Sequence, residues 1–305
     1  MPRLSVIIPV RNGASTIRTA LASVLRSLPA DASVTVLDDG STDETPGLLH
    51  EMAHPKLSVL TSTEGMGVAR GLNHLLQHTD SDYVARMDAD DIVLPWRFML
   101  QQRHLQHTRT DVTFTTVTLL RGRSLRLTRP KQIPADAFPL HLLVTNPVAH
   151  PTMYARRAAI ERVGGYREVP SEDYDLWLRM ALAGVSLSRS GAPGLLYRIH
   201  GKQVTASQEW RQASWSDSQI QEVYRDLSEH ILGNRLSRLL SLASDPDMTR
   251  ARLDEHIHTL VEAIDSACHG LRPKDRQYLH QTLGSRLAHA NDVFAKSSSS
   301  GSPEE

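Results

Sequence analysis

Tyr83-Val84-Ala85-Arg86-Met87-Asp88-Ala89-Asp90-Asp91 runs from an apolar stretch into three carboxylates within four residues. A strand that ends in so much like charge is costly unless something positive lies among the oxygens. A hard divalent cation carrying a diphosphate meets that need. Short acidic motifs also occur as hydrated surface turns, so the weight of this one rests on its neighbours.

Upstream, the chain alternates between two periodicities. Leu4 to Val10 is a continuous, largely β-branched run suited to a strand buried on both faces of a parallel sheet, and it exits through Pro9-Val10-Arg11-Asn12-Gly13. Between Ala14 and Leu28 the apolar residues Ile17, Leu21, Val24, Leu25 and Leu28 fall at helical spacing. The same reading predicts strands over Ser33–Leu37, Leu57–Leu60 and Tyr83–Met87, and helices over Glu44–Met52 and Val68–Leu76. Strand and helix in strict alternation argue an α/β fold with a Rossmann-like, doubly wound, mostly parallel sheet. In such sheets ligands collect where loops leave the carboxyl ends of strands. Three polar loops fit that placement: Pro9–Gly13, Asp38–Asp43 and Asp88–Asp91. Asp38, Ser41 and Asp43 suit capping of the next helix. The adjacent pair Asp38-Asp39 at a strand end suits hydrogen bonding to a base edge or to ribose hydroxyls.

Composition narrows the function classes. The chain has 305 residues, enough for one large domain with an appendage or for two domains. Lys+Arg and Asp+Glu balance at 34 each, so there is no net field drawing the chain to nucleic acid. Cys268 is the sole cysteine, which excludes an intrachain disulfide, and no cluster of Cys and His has the spacing of a zinc site. Met1–Val10 is too short for a signal peptide, and no apolar run approaches a membrane span. A soluble, cytoplasmic protein is expected, and an amphipathic helix would add peripheral contact at the inner face of a membrane.

Four motifs in order, Ser5-Val6-Ile7-Ile8-Pro9-Val10-Arg11-Asn12, Asp38-Asp39-Gly40-Ser41-Thr42-Asp43, Asp88-Ala89-Asp90-Asp91 and Glu172-Asp173-Tyr174-Asp175-Leu176-Trp177, make the first two hundred residues resemble the family 2 glycosyltransferases of the GT-A fold. The resemblance implies an inverting enzyme that moves one sugar from a nucleoside-diphosphate sugar, a UDP-sugar foremost, to an acceptor hydroxyl on a glycan, lipid-linked or protein acceptor. It assigns Pro9, Val10 and Asn12 to the nucleoside pocket, Asp39 with Asp38 to the base, Arg70 to the donor diphosphate, and Asp88 and Ala89 to the donor side of the D-x-D. Asp90, with Asp88, would hold Mn2+ or Mg2+, and His200 in Tyr197-Arg198-Ile199-His200 would stand near the diphosphate or metal. Asp173, beside Glu172, would deprotonate the acceptor, as a carboxylate activates the incoming oxygen in inverting glycoside hydrolysis. An acidic helix N-terminus complementing the macrodipole is the local alternative for the same residues. His150, in Asn146-Pro147-Val148-Ala149-His150-Pro151-Thr152, and Trp177 are the acceptor-side candidates. The family usually carries Tyr or a similar residue where Arg11 stands, and the Q-x-x-R-W pattern of processive members is absent, which favours single-sugar transfer.

The expected organisation is a catalytic domain over 1–204, divided into a nucleotide-sugar half (1–91) and an acceptor half (92–204). A helical region of two to four helices over 205–296 would follow, broken at Ser244-Asp245-Pro246, and then a polar tail over 297–305. The C-terminal helices are the expected surface for a homo-oligomer or a membrane contact. Two rival classes are a sugar-phosphate nucleotidyltransferase, which needs a Gly-rich first loop with Arg and Lys, and a non-catalytic nucleotide-sugar-binding protein, which has no need of Asp173.

Overall fold

The computed structural model describes residues 3–129, 131–201 and 207–299. In chain order the first elements are β1 (Leu4–Val10), α1 (Ile17–Ser27), β2 (Ala32–Asp39), α2 (Thr45–Glu51), β3 (Leu57–Ser62), α3 (Val68–Gln77) and β4 (Tyr83–Arg86). The alternation read from the sequence is present. One boundary differs in a way that matters: β2 continues through both aspartates, because Asp38 pairs with Val10 on one side and Asp39 with Ser62 on the other.

The chain continues as β5 (Ile92–Val93), α4 (Arg97–Thr108), β6 (Val112–Arg121), β7 (Ser124–Leu127), α5 (Phe138–Val144), a 3-10 turn at His150–Thr152, β8 (Tyr154–Arg156), α6 (Arg157–Glu161), α7 (Glu172–Leu182) and β9 (Leu187–Arg198). It ends in α8 (Gln208–Ser216), α9 (Ser218–Leu232), α10 (Leu239–Ala243), α11 (Arg250–Ala267) and α12 (Pro273–Ser299).

All the strands fall in the first of two compact units, which is formed by Met1–Ile133, Val148–Glu168 and Val185–Gly201. Their order is β3-β2-β1-β4-β8-β6-β9-β5, with β7 alongside β6. The first four strands are parallel. Beyond β4 the sheet is mixed: β8 runs antiparallel to both β4 and β6, β9 is parallel to β6, and β5 closes antiparallel on β9. The chain leaves β1 toward β2 and later returns to its other side as β4, so the strand order reverses between β1 and β4. That reversal opens a crevice at the carboxyl ends of these two strands. Val6, Ile8, Val34, Val36 and Ala85 fill the core with Leu21 and Val24 of α1. The stripe on α1 is the one that the helical spacing predicts.

A polar seam crosses this core behind β4. Arg97 is fully buried and donates from Nη2 to the Arg86 carbonyl (2.8 Å) and from Nε to Gln101 Oε1 (3.0 Å). Gln101, also fully buried, passes the network on to the Thr152 carbonyl (2.7 Å). Burial lowers the Arg97 pKa to about 9, against the attraction of Asp91.

The second unit comprises Pro134–Pro147, Val169–Gly184 and Lys202–Glu305. It interleaves with the first along the chain, whereas the sequence reading set one boundary at residue 204, a position outside the described residues. Helix α7 buries every residue from Tyr174 to Ala181, the apolar ones together with the ion pair of Asp175 and Arg179 (2.7 Å), so it is enclosed on nearly every side and serves as the centre of this unit. The Tyr174 hydroxyl donates to the Leu142 carbonyl (2.6 Å) and that of Tyr224 to the Leu143 carbonyl (2.8 Å), which fixes α5 between α7 and α9. Five helices follow residue 207 among the described residues, one more than the upper expectation, and the break falls between α10 and α11 as read. Ser297, placed in the polar tail by its composition, is instead helical and donates to the Ala243 carbonyl (3.2 Å). Residues 300–305 lie outside the described residues.

Gln101→Ala would leave the buried Thr152 carbonyl and Arg97 Nε without partners. The expected cost is about 1–3 kcal/mol, read as a lowered urea midpoint at unchanged m-value.

Candidate active site

The loops after β1 and β2 hold each other. Asn12, in the left-handed region at φ 55, donates its backbone N–H to Ser41 Oγ (2.9 Å) and accepts from the Thr42 N–H at Oδ1 (2.8 Å). Gly13 donates to Thr45 Oγ1 (2.9 Å) and Ala14 to Asp43 Oδ2 (3.0 Å). Asp43 thus ties two loops together rather than serving only its own helix. Pro9 is partly exposed at the mouth, while the Val10 side chain is turned into the core, so Val10 borders the crevice through its backbone.

Both members of the acidic pair are buried. Asp38 accepts from the Ser41 N–H (3.1 Å). Asp39 accepts from the Met66 N–H at Oδ1 (2.7 Å) and the Gly67 N–H at Oδ2 (3.0 Å). It therefore anchors the loop that leads into α3, and each oxygen keeps lone-pair capacity for a ligand. The Arg11 guanidinium lies against Gly65 of that loop, where a Cβ would collide with it. Arg70 is exposed, with Nε donating to the Met66 carbonyl (2.9 Å) and facing Glu168 Oε2 at 3.2 Å.

The acidic loop after β4 is braced from behind and from the side. Asp88 pairs with Arg86 Nη2 at 2.5 Å. Asp91 Oδ1 accepts from the Arg198 N–H (2.8 Å), and Arg198 Nε donates to the Asp90 carbonyl (2.8 Å). His200 Nε2 lies 2.8 Å from Asp90 Oδ2. The strand end carrying Tyr197 to His200 therefore clamps the D-x-D. Carboxylate oxygens of Asp88, Asp90 and Asp91 lie within 4.8 Å of one another. Asp91 is 1% exposed, and its Oδ2 is buried without a hydrogen-bond partner. Burial foremost, and then the charges of Asp88 and Asp90, push its carboxyl up to about 8 against the Arg198 hydrogen bond. Burial, followed by the charges of Asp88, Asp91 and Asp90, raises Tyr197 to about 12. A donor set of carboxylate oxygens, one of them buried and unsatisfied, fits a hard divalent cation.

Asp173 and Glu172 open helix α7 in the second unit. Asp173 Oδ2 accepts from Asn146 Nδ2 (2.8 Å) and Oδ1 from the Tyr174 N–H (2.7 Å), so its carboxylate is fixed on both oxygens and remains partly exposed. The helix N-terminus reading also holds, since Glu172, Asp173 and Asp175 all occupy the first turn. Trp177 is fully buried, so the acceptor contact expected of it is corrected: it offers no surface and belongs to the core of its unit. His150 is 7% exposed and hydrogen-bonded through Nε2 to the Tyr166 hydroxyl (2.9 Å) in the first unit. The Gly164-Gly165 turn beside it has both residues at φ 74, and Asn73 clamps Tyr166 at both N–H (2.9 Å) and carbonyl (2.8 Å).

Sequence reading missed Asn146, Arg97 and Gln101, whose roles depend on partners far away in sequence. It also missed the approach of Asp265, Cys268 and His280 to within 4.8 Å, made by α11 and α12. There the thiol is within 3.3 Å of the Asp265 carbonyl and closes the helix end.

Residues 5–164 match the family model Glycosyl transferase family 2. The putative glycosyltransferase EpsE of Bacillus subtilis is 29% identical over 191 residues, covering 58% of this chain and 66% of that protein, just under two thirds of its length. The UDP-Glc:alpha-D-GlcNAc-diphosphoundecaprenol beta-1,3-glucosyltransferase WfaP of Escherichia coli is 23% identical over 207 residues, 68% of this chain and 81% of that protein. Among solved structures, S. aureus TarS 1-349 in complex with UDP-GlcNAc superposes with a TM-score of 0.61 at 16% identity, over 97% of this chain and 91% of that one. The mannosyltransferase PcManGT from Pyrobaculum calidifontis, in complex with GDP-Man and Mn2+, superposes with a TM-score of 0.56 at 18% identity, over 96% and 87%. These likenesses establish the GT-A fold.

Asp39→Asn turns one acceptor into an amide donor facing a backbone N–H. Hydrogen exchange at the Met66 and Gly67 amides should accelerate, with a global loss of about 1–3 kcal/mol.

Proposed function

The chain belongs to glycosyl transferase family 2, and from that membership we propose that it moves one sugar from a nucleoside-diphosphate donor to an acceptor hydroxyl, with inversion and with help from Mn2+ or Mg2+. The observation that carries this reading is the convergence of Asp88, Asp90 and Asp91 at the strand-order reversal. Carboxylates gathered in this way, one of them buried with an unpartnered oxygen, suit the reception of a cation and its diphosphate. Asp90 and Asp88 would hold the cation, and His200 would steady Asp90. A bound cation supplies Lewis-acid stabilisation of the charge that develops on the departing diphosphate.

The remaining roles belong to the protein's own groups. Pro9, Val10 and Asn12 border the nucleoside pocket, with Asp38 and Asp39 toward the base, Arg70 toward the diphosphate and Ala89 beside the D-x-D. The planar Arg11 guanidinium is suited to stacking on a base. In the transfer, the acceptor oxygen forms a bond to the anomeric carbon as the bond from that carbon to the phosphate oxygen breaks. The bonding electrons leave with the nucleoside diphosphate, and Asp173 takes the hydroxyl proton. Asn146 is a positioning residue for that carboxylate, and Glu172 adds negative charge beside it. The names of TarS, with UDP-GlcNAc, and WfaP support a UDP-sugar donor and a lipid-linked acceptor. PcManGT, with GDP-Man and Mn2+, supports the cation.

Two substitutions separate binding from chemistry, with release of nucleoside diphosphate as the assay. Asp173→Asn should keep donor affinity within about twofold and lower turnover by at least about a hundredfold, the lower range of general-base contributions. Turnover equal to wild type would remove Asp173 from its role. Asp90→Ala should weaken manganese-dependent donor binding, and a chelator should do the same to wild type. Donor affinity that ignores the chelator would overturn the cation site.

A further inference from the structure

The hairpin made by β6 and β7 is unlike the rest of the surface. Between Val112 and Ala135 the chain has Arg121, Arg123, Arg126, Arg129 and Lys131 and no acid, although its total charge balances to zero. All four arginines are exposed, and none of them makes an ion pair among the described residues. Between them stand Leu125, 59% exposed, and Leu127, 81% exposed, the two most exposed large hydrophobic residues described. They are two apart on a strand and therefore share one face, while Arg126 takes the other.

Protection of a sheet edge accounts for an arginine on β7, which pairs with β6 alone. It does not account for two leucines turned to water. Cations flanking exposed aliphatic side chains match a surface that is anionic at its headgroups and apolar beneath them. Nucleic acid would complement the charge but offers no use for the leucines, and the hairpin's one aromatic residue, Phe114, is fully buried and gives a base nothing to stack on. We propose that this hairpin docks the protein on an anionic phospholipid surface, with Leu125 and Leu127 entering the interface and the arginines meeting the phosphates.

The placement gives the docking a purpose. The Leu120 carbonyl, one residue before the turn, accepts from the Ile199 N–H (2.8 Å), next to the His200 that contacts Asp90. β9 runs parallel to β6 with Arg198 opposite Leu120, so the hairpin tip leaves the sheet at the end that carries the acidic loop. No described helix is long and apolar enough to cross a membrane, so a surface contact of this kind is the way this part of the chain would meet a lipid-borne substrate. Membrane docking itself does not depend on the sugar-transfer reading.

The test is co-sedimentation of the full chain with vesicles of phosphatidylglycerol mixed with phosphatidylcholine, and with vesicles of phosphatidylcholine alone. Retention is expected on the mixed vesicles only, decreasing as salt rises. Each of Arg123→Gln and Arg126→Gln should lower partitioning by about fivefold, and Leu125→Ser with Leu127→Ser should lower it further at unchanged charge. All of these positions are exposed, so melting temperature and nucleoside-diphosphate release with a water-soluble acceptor should match wild type. Absence of retention, equal retention on neutral vesicles, or full retention by the variants would overturn the proposal. So would binding to an RNA oligonucleotide without binding to vesicles. Loss of transfer with vesicle binding intact would count against the enzymatic reading alone.

Discussion

Mutual repulsion of Asp88, Asp90 and Asp91 is the constraint around which the first unit is arranged. Each carboxylate has a named restraint: Arg86 on Asp88, the Arg198 amide on Asp91 and His200 on Asp90. A buried guanidinium, Arg97, adds positive charge from behind. These supports come from β4, α4 and the end of β9, so the acidic loop acquires its shape only when three separated stretches of chain have met. What they leave unsatisfied, the buried Oδ2 of Asp91, marks how far internal hydrogen bonding falls short of neutralising the site. A buried carboxylate oxygen left without a partner beside two further acids is an unbalanced site, and that imbalance is what the proposed cation would relieve.

The parallel half of the sheet works differently. Its loops are shaped by side chains bonding to backbone across the crevice: Asn12 with Thr42, Gly13 with Thr45, Asp39 with Met66 and Gly67. Short polar side chains at strand ends substitute for the backbone partners that irregular loops lack. The loops of this half are thereby tied to one another, and Asp38 and Asp39 both hold loop amides in place.

The order of these elements was readable because local rules governed it. β-branched runs gave strands, the spacing of Ile17, Leu21 and Val24 gave a helix, and strand-end acids marked the crevice. Three of the four motifs lie on the stretch that the family model covers, residues 5–164, and the fourth, Glu172 to Trp177, falls beyond it. Other features were decided by distant partners. Trp177 stands in the sequence as an acceptor-side candidate, yet Tyr174 to Ala181 of α7 are all buried and the indole is core. Asn146 could be noticed only as part of a proline-bearing segment, since its link to Asp173 spans 27 residues. The division into units was equally hidden: α5 and α7 group with the C-terminal helices because their apolar faces demand it, whatever their position along the chain. Helix α12 has only a weak apolar stripe, and it runs three residues past the helical region expected over 205–296.

The interleaving of the two units bears on how the chain is made. β9 is flanked by β6 and β5, yet it is the last strand to emerge during synthesis, more than a hundred residues after Ile92, whose partner Leu196 it carries. Until then the nascent sheet has an open seam, and Asp91 in the loop after β4 lacks the amide of Arg198. Vectorial folding can complete the parallel half of the sheet early, while the mixed half must wait. Newly made protein thus passes through an interval in which the parallel strands are paired while β6 and β5 still lack the strand that joins them.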